Sequence, residues 1–236
     1  MKYIITILFS VFSIINLLGQ NIGALEISDK NVKPWLPKSQ LEYEGFYKFG
    51  ESESESDLKL FFVDSLIIGQ VMQGYWEDGT GFWKWKYKNL TNIKIDKKGN
   101  FSSDQHTGQF VIYTDSTGIY KGLKIDNPWT EWLDKNRYEI GIELNIKPRI
   151  FSGKYTQASF RHLSTDELKK MSKKELKIMR NEIFARYGFK FNSGGEMDLY
   201  FKQEKWYQPQ HENVTEFLTR LELDNIELIK EIETKK

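Results

Sequence analysis

The stretch Phe82-Trp83-Lys84-Trp85-Lys86-Tyr87-Lys88 constrains this chain more than any other, because aromatic and charged side chains alternate strictly along it. Period two puts Trp83, Trp85 and Tyr87 on one face of a β-strand and Lys84, Lys86 and Lys88 on the other. Similar segments surround it. Phe46 and Phe49 flank a short one, and Leu58 to Val63 forms another. Ile93 and Ile95 alternate with polar neighbours, Phe110 to Tyr113 is an apolar run, and Tyr138, Ile140, Ile142 and Leu144 alternate again. Turn residues lie between them at Asp64-Ser65, Glu77 to Gly81, Lys97 to Asn100 and Asp115 to Gly118. The gaps are too short for the helical crossovers that parallel strands need. Residues 41–155 are therefore expected to form an antiparallel β meander, closed as a barrel or stacked as a sandwich.

Trp83, Trp85 and Tyr87 are pocket candidates, since small barrels sometimes enclose a ligand. The alternative is that they fill the interior, as aromatic rings on one strand face usually do. Trp129 to Trp132 falls in a longer loop and reads as packing. Glu51 to Asp57 carries four carboxylates in seven residues but lacks the glycine turn and ligand spacing of a calcium loop. It reads as a solvated hairpin loop.

Beyond a linker at 156–161 the period changes, and residues 162–236 are expected to be all-helical, making the fold class α+β. Ser164 with Glu167, and Ser172 with Glu175, have the spacing of capping boxes. Leu176, Met179, Ile183 and Tyr187 recur at helical spacing, and Gly188 stands where a left-handed C-cap belongs. A short helix is expected from Glu196 to Phe201, and a last one from about Thr215.

The run Arg180-Asn181-Glu182-Ile183-Phe184-Ala185-Arg186-Tyr187-Gly188-Phe189-Lys190-Phe191 resembles the signature of the YARHG family, a small domain of exported bacterial proteins. Leu163, Leu176, Tyr200-Phe201, Trp206 to Pro209, Glu222, Asn225 and Ile226 fit the same pattern, so the likeness covers His162 to Glu233. Two positions depart from it. Phe184 stands where the family tyrosine is usual, and Tyr187 replaces the usual histidine. The resemblance implies an address outside the cytoplasm and no established reaction. Within the signature, Glu182 and Arg186 are four apart with the acid first, the favourable order for a helical pair. Arg180, Asn181 and Glu182 read as a buried polar brace. The functional alternative places Arg180, Asn181, Glu182, Arg186, Tyr187, Trp206 and Tyr207 at a binding site, where guanidinium groups hold carboxylates and aromatic faces stack on sugar rings.

The remaining features bound the function. Lys2 followed by an apolar run from Tyr3 to Leu18 and the small exit Gly19-Gln20 reads as a signal peptide over residues 1–20, with a leader at 21–40. A spanning anchor takes about 20 apolar residues; this run is shorter and holds four polar side chains. Cysteine is absent, which excludes disulfides, thiolate metal sites and attachment of a lipid through cysteine. Without Lys2 the chain has 33 basic and 33 acidic residues, so nothing draws it to nucleic acid. His106, His162 and His211 lack metal spacing, and no nucleophile elbow, phosphate loop or HExxH motif is present. No catalytic residue, cofactor or metal is assigned. The expected function is that of an exported binding or interaction protein, periplasmic, surface-bound or secreted. Its expected partners are a cell-wall or envelope component and a small ligand in the β domain. The alternatives are a cell-wall-modifying hydrolase with an unrecognised carboxylate pair and a docking subunit of an envelope assembly.

Overall fold

The computed structural model describes residues 29–50, 55–130, 138–144 and 151–236. The signal-peptide segment, Glu51 to Ser54 of the acidic run, and Glu131-Trp132 lie outside the described residues. The first half is β: β1 Val32–Pro34, β2 Gly45–Phe49, β3 Ser56–Val63, β4 Leu66–Trp76, β5 Trp83–Leu90, β6 Lys94–Ile95, β7 Asn100–Ser102, β8 Thr107–Thr114, β9 Ile119–Ile125 and β10 Glu139–Glu143. All pair antiparallel in one sheet of order β5-β4-β3-β2-β10-β9-β8-β7-β6, with β1 added on β8. Nearly every pair is a sequential hairpin; only the β2–β10 pairing joins the two arms.

The sheet curls without closing, because the strand order has two ends, β5 and β6. The barrel expectation is corrected in that respect. What curls it is a shared core. Leu58 and Leu60 of β3, Val71 of β4 and Leu90 of β5 pack in one cluster with Ile95, Phe101, Phe110, Leu123 and Ile125 of the other arm. Trp35 and Tyr43 from the approach to the sheet seal it, with Tyr43 stacked 4.0 Å from Phe110.

The acidic run is not wholly a loop. Ser56 and Asp57 open β3, and Ser56 is fully buried under a 2.9 Å hydrogen bond from Gln73. The strand β4, eleven residues long, was not foreseen.

The second half is helical: α1 Thr165–Lys169, α2 Lys173–Arg186, α3 Glu196–Phe201 and α4 Arg220–Thr234. Both expected capping boxes form, at Ser164–Glu167 and Ser172–Glu175. The last helix starts later than expected. Thr215–Phe217 makes only a 3-10 turn, and α4 begins behind its own capping box, Thr219 with Glu222. Leu176, Met179 and Ile183 of α2 bury against Ile226, Ile229 and Ile232 of α4. Gly188, at φ +70°, closes α2 as a Schellman motif: Phe189 N–H reaches the Phe184 carbonyl and Gly188 N–H that of Ala185. Phe191 then folds back to stack on Phe201 at 5.1 Å.

Candidate functional site at the junction of sheet and helices

Strand alternation puts one set of β3–β5 side chains in the core and the other set outward. The outward set runs in register across the strands: Asp57, Met72 and Tyr87 form one row, and Lys59, Gln70 and Asn89 the next. The helical half docks on this face. Asn89 Nδ2 donates to the Leu218 carbonyl (2.8 Å) and Gln70 Nε2 to the Phe217 carbonyl (2.7 Å). Trp85 N–H donates to Gln210 Oε1 (3.1 Å), and the Trp85 carbonyl lies 2.7 Å from His211 Nε2. Tyr87 meets Tyr187 edge-on at 4.8 Å. A second apolar contact seats Leu221 of α4 among Phe61, Val63 and Ile68.

Between these anchors lies a cleft of about 200 Å³, lined among others by Asp57, Lys59 and Tyr87 from the sheet and Arg186, Tyr187 and Trp206 from the helical half. Met72, Lys59 and Trp206 are partly exposed, so it opens to solvent. Its deep side is a polar chain. Tyr187, 5% exposed, donates to Glu222 Oε2 at 2.7 Å and lies 3.1 Å from Gln70 Nε2. The hydroxyl of the residue that replaces the family histidine therefore reaches both α4 and β4.

Lys59 is the unusual member. Its Nζ lies 4.5 Å from the Phe151 ring centroid and 5.8 Å from that of Phe46, a cation–π setting. Among the described residues no hydrogen bond or ion pair reaches it. Burial lowers its pKa to about 8, against the pull of Glu222 and Asp57 in the other direction. Asp57, two residues before it and opposite Lys48 of β2, has its Oδ1 buried with no hydrogen-bond partner among the described residues, and desolvation raises the carboxyl pKa against the pull of Lys48 and Lys59. Arg186, by contrast, is fully committed. It donates to the Ser152 carbonyl (2.7 Å), to Ser159 Oγ (2.8 Å) and to Glu182, which also accepts the N–H groups of Lys154 (2.8 Å) and Tyr155 (2.7 Å). Burial pushes Glu182 up and Arg186 down, and each charge offsets the other's shift. Gly153, at φ +106°, lies so close over the Glu182 carboxyl that any Cβ would collide with it.

The sequence candidates divide accordingly. Tyr87, Arg186, Tyr187 and Trp206 meet in the cleft. Glu182 stands behind it, holding Arg186. Arg180 pairs instead with Glu233 of α4 at 3.0 Å, and Asn181 caps back onto the Lys177 carbonyl at 2.7 Å. Neither bonds the segment after Gly188. Tyr207 is buried and donates to the Phe189 carbonyl (2.6 Å). Trp83 lies over Gly74 beside Trp76 and Trp85, and Trp85 serves the docking contact through its backbone. Lys59, Asp57 and Gln70 were not foreseen; alternation along β3 puts Asp57 and Lys59 on one face without marking them as a site, and nothing in the sequence marks Gln70.

The three histidines stay apart. His106 accepts from Trp129 Nε1 (2.8 Å), His162 bonds Asp64 (2.8 Å), and His211 sits on β5. Among the described residues no group of acids and histidines is placed to hold a metal ion, and no helix is long and apolar enough to cross a membrane.

No curated protein and no solved structure matches the chain. One family model does, over residues 153–234, and no family model matches the sheet. That family is usually found in exported proteins. The segment from Gly153 to Thr234, which supplies Arg186, Tyr187, Trp206 and Glu222 to the cleft, is a YARHG domain.

Proposed function

We propose that the chain is an exported, non-catalytic binding protein that contacts a cell-wall or envelope component, and that the cleft between sheet and helices receives it. The observation that carries this reading is Lys59, an ammonium that no described residue pairs with, in a solvent-open, aromatic-walled cavity. Folding gains nothing from desolvating a lone charge, whereas a ligand site gains a donor. Export rests on the YARHG domain and on the signal-peptide reading of residues 1–20. The domain division at 41–155 and 162–236 belongs to the same proposal, with the sheet presenting one wall and the YARHG domain the other.

Co-sedimentation with purified cell-wall sacculi tests the reading. The wild type is expected to pellet, while Lys59→Met and Trp206→Ala, shown folded by circular dichroism, stay in solution. Pelleting by both variants at the wild-type level would remove the cleft from the contact.

One observation favours a second reading, a cell-wall hydrolase: Asp57, with its raised proton affinity, and Glu222 line the same cleft. Against it, Glu222 Oε2 already accepts from Tyr187 Oη, Thr219 N–H and Thr219 Oγ1. Release of soluble fragments from sacculi separates the two. None is expected; release abolished by Asp57→Asn would establish the hydrolase.

A further inference from the structure

The charged groups lining the cleft are not all paired with one another. Arg186 is engaged with Ser152, Ser159 and Glu182, and Glu222 with Tyr187 and Thr219. Among the described residues that leaves Lys59 with no hydrogen bond or ion pair, and Asp57 Oδ1 with no hydrogen bond although Lys48 lies opposite it on β2. Lys59 and Asp57 are two residues apart on the same face of β3, so their Cα atoms are about 6.7 Å apart, yet no ion pair joins them. Met72 and Tyr87 from the sheet and Trp206 from the helical half line the same cleft.

A simple anion would satisfy Lys59 and face Asp57; a simple cation would do the reverse. A ligand bearing both charges close together meets both, and the buried Oδ1 of Asp57 gains most, because an unmet buried acceptor is costly while the partly exposed Lys59 is not wholly desolvated. Size narrows the class further. The cleft, at about 200 Å³, is below the roughly 300–1,000 Å³ of pockets for drug-sized ligands. It suits one residue-sized group, so of a larger cell-wall component it admits a single residue and not a run of sugars. The wall beside the charges is thioether and aromatic, which suits an apolar substituent.

Resting on the reading that the cleft is a ligand site, we propose that it takes a free α-amino acid with an apolar side chain. The carboxylate meets Lys59, the ammonium meets Asp57, and the side chain lies against Met72, Tyr87 and Trp206.

Isothermal titration calorimetry of the full chain tests this with L-leucine and L-phenylalanine, beside N-acetyl-L-phenylalanine, which lacks the ammonium, and L-phenylalaninamide, which lacks the carboxylate. The free amino acids are expected to bind, and each derivative at least tenfold more weakly, because each leaves one charge-assisted contact unmade. Lys59→Met should lose the distinction between phenylalanine and its amide, and Asp57→Asn that between phenylalanine and its N-acetyl form. Equal binding of all three phenylalanine compounds overturns the proposal. So does absence of any amino-acid binding; if sacculus pelleting still depends on Lys59, the cleft remains a site for another ligand class. Loss of the Lys59 dependence in both assays removes the amino acid and the cleft together.

Discussion

Lys59 shows how docking changes the meaning of a residue. On alternation alone it is an ordinary outward lysine of β3; under the YARHG domain its ammonium is held among rings with its proton affinity lowered to about 8. The unfolded chain then binds more protons than the folded one between about pH 8 and the ordinary lysine pKa of 10.5, so stability rises with pH across that window. The rise is up to about 3 kcal/mol, reduced by the partial exposure of the side chain. Urea unfolding at pH 7.5 and pH 10 should show this gain in the wild type and not in Lys59→Met, which should also be the more stable protein at pH 7.5. Tyr187 is a second case. Its hydroxyl links Glu222 to Gln70, and Tyr187→Phe leaves buried acceptors short of a donor. A loss of about 1–3 kcal/mol is expected, measurable as a lowered urea midpoint with an unchanged slope.

At the scale of the element, α2 is where sequence and structure agree most closely. The Ser172–Glu175 box, the buried Leu176, Met179 and Ile183, and the left-handed Gly188 are all legible as local rules. The Glu182–Arg186 brace is legible only in half. The pairing follows from i,i+4 spacing, but the backbone of residues 152–155 that it grips is a tertiary partner. Removing one charge leaves the other buried and two N–H groups without an acceptor, so Glu182→Ala should cost about 3–5 kcal/mol, read by thermal or urea unfolding. β5 was readable because its two faces differ in kind. β4 was not, because Gly69 and Gly74 stand where Ile93 and Trp83 press against the strand, Gln73 puts an amide on the inward face against Ser56, and Gln70 is an outward residue that docking buries. Those four residues exist for neighbours that a single strand does not reveal. The start of α4 was misplaced because Thr215 and Thr219 both offer a cap, and only Thr219 has a glutamate three residues on.

At the scale of the molecule, the two halves share hydrogen bonds and a mixed apolar cluster of Phe61, Val63, Ile68 and Leu221. Heating monitored by far-UV and near-UV circular dichroism should therefore give coincident transitions. Residues 153–236 expressed alone should melt at a lower temperature than the whole chain. The cleft was legible mainly from one side: Arg186, Tyr187 and Trp206 carry family or aromatic signals and the sheet offers Tyr87, whereas Asp57, Lys59 and Gln70 carry none until the sheet is covered. Because its two walls come from different halves of the chain, an occupant bridges them. Binding free energy gained there is also adhesion between the halves, growing as RT ln(1 + [L]/Kd). A bound molecule therefore acts as a clasp, and how firmly the YARHG domain rests on its sheet becomes a gauge of what the surroundings contain.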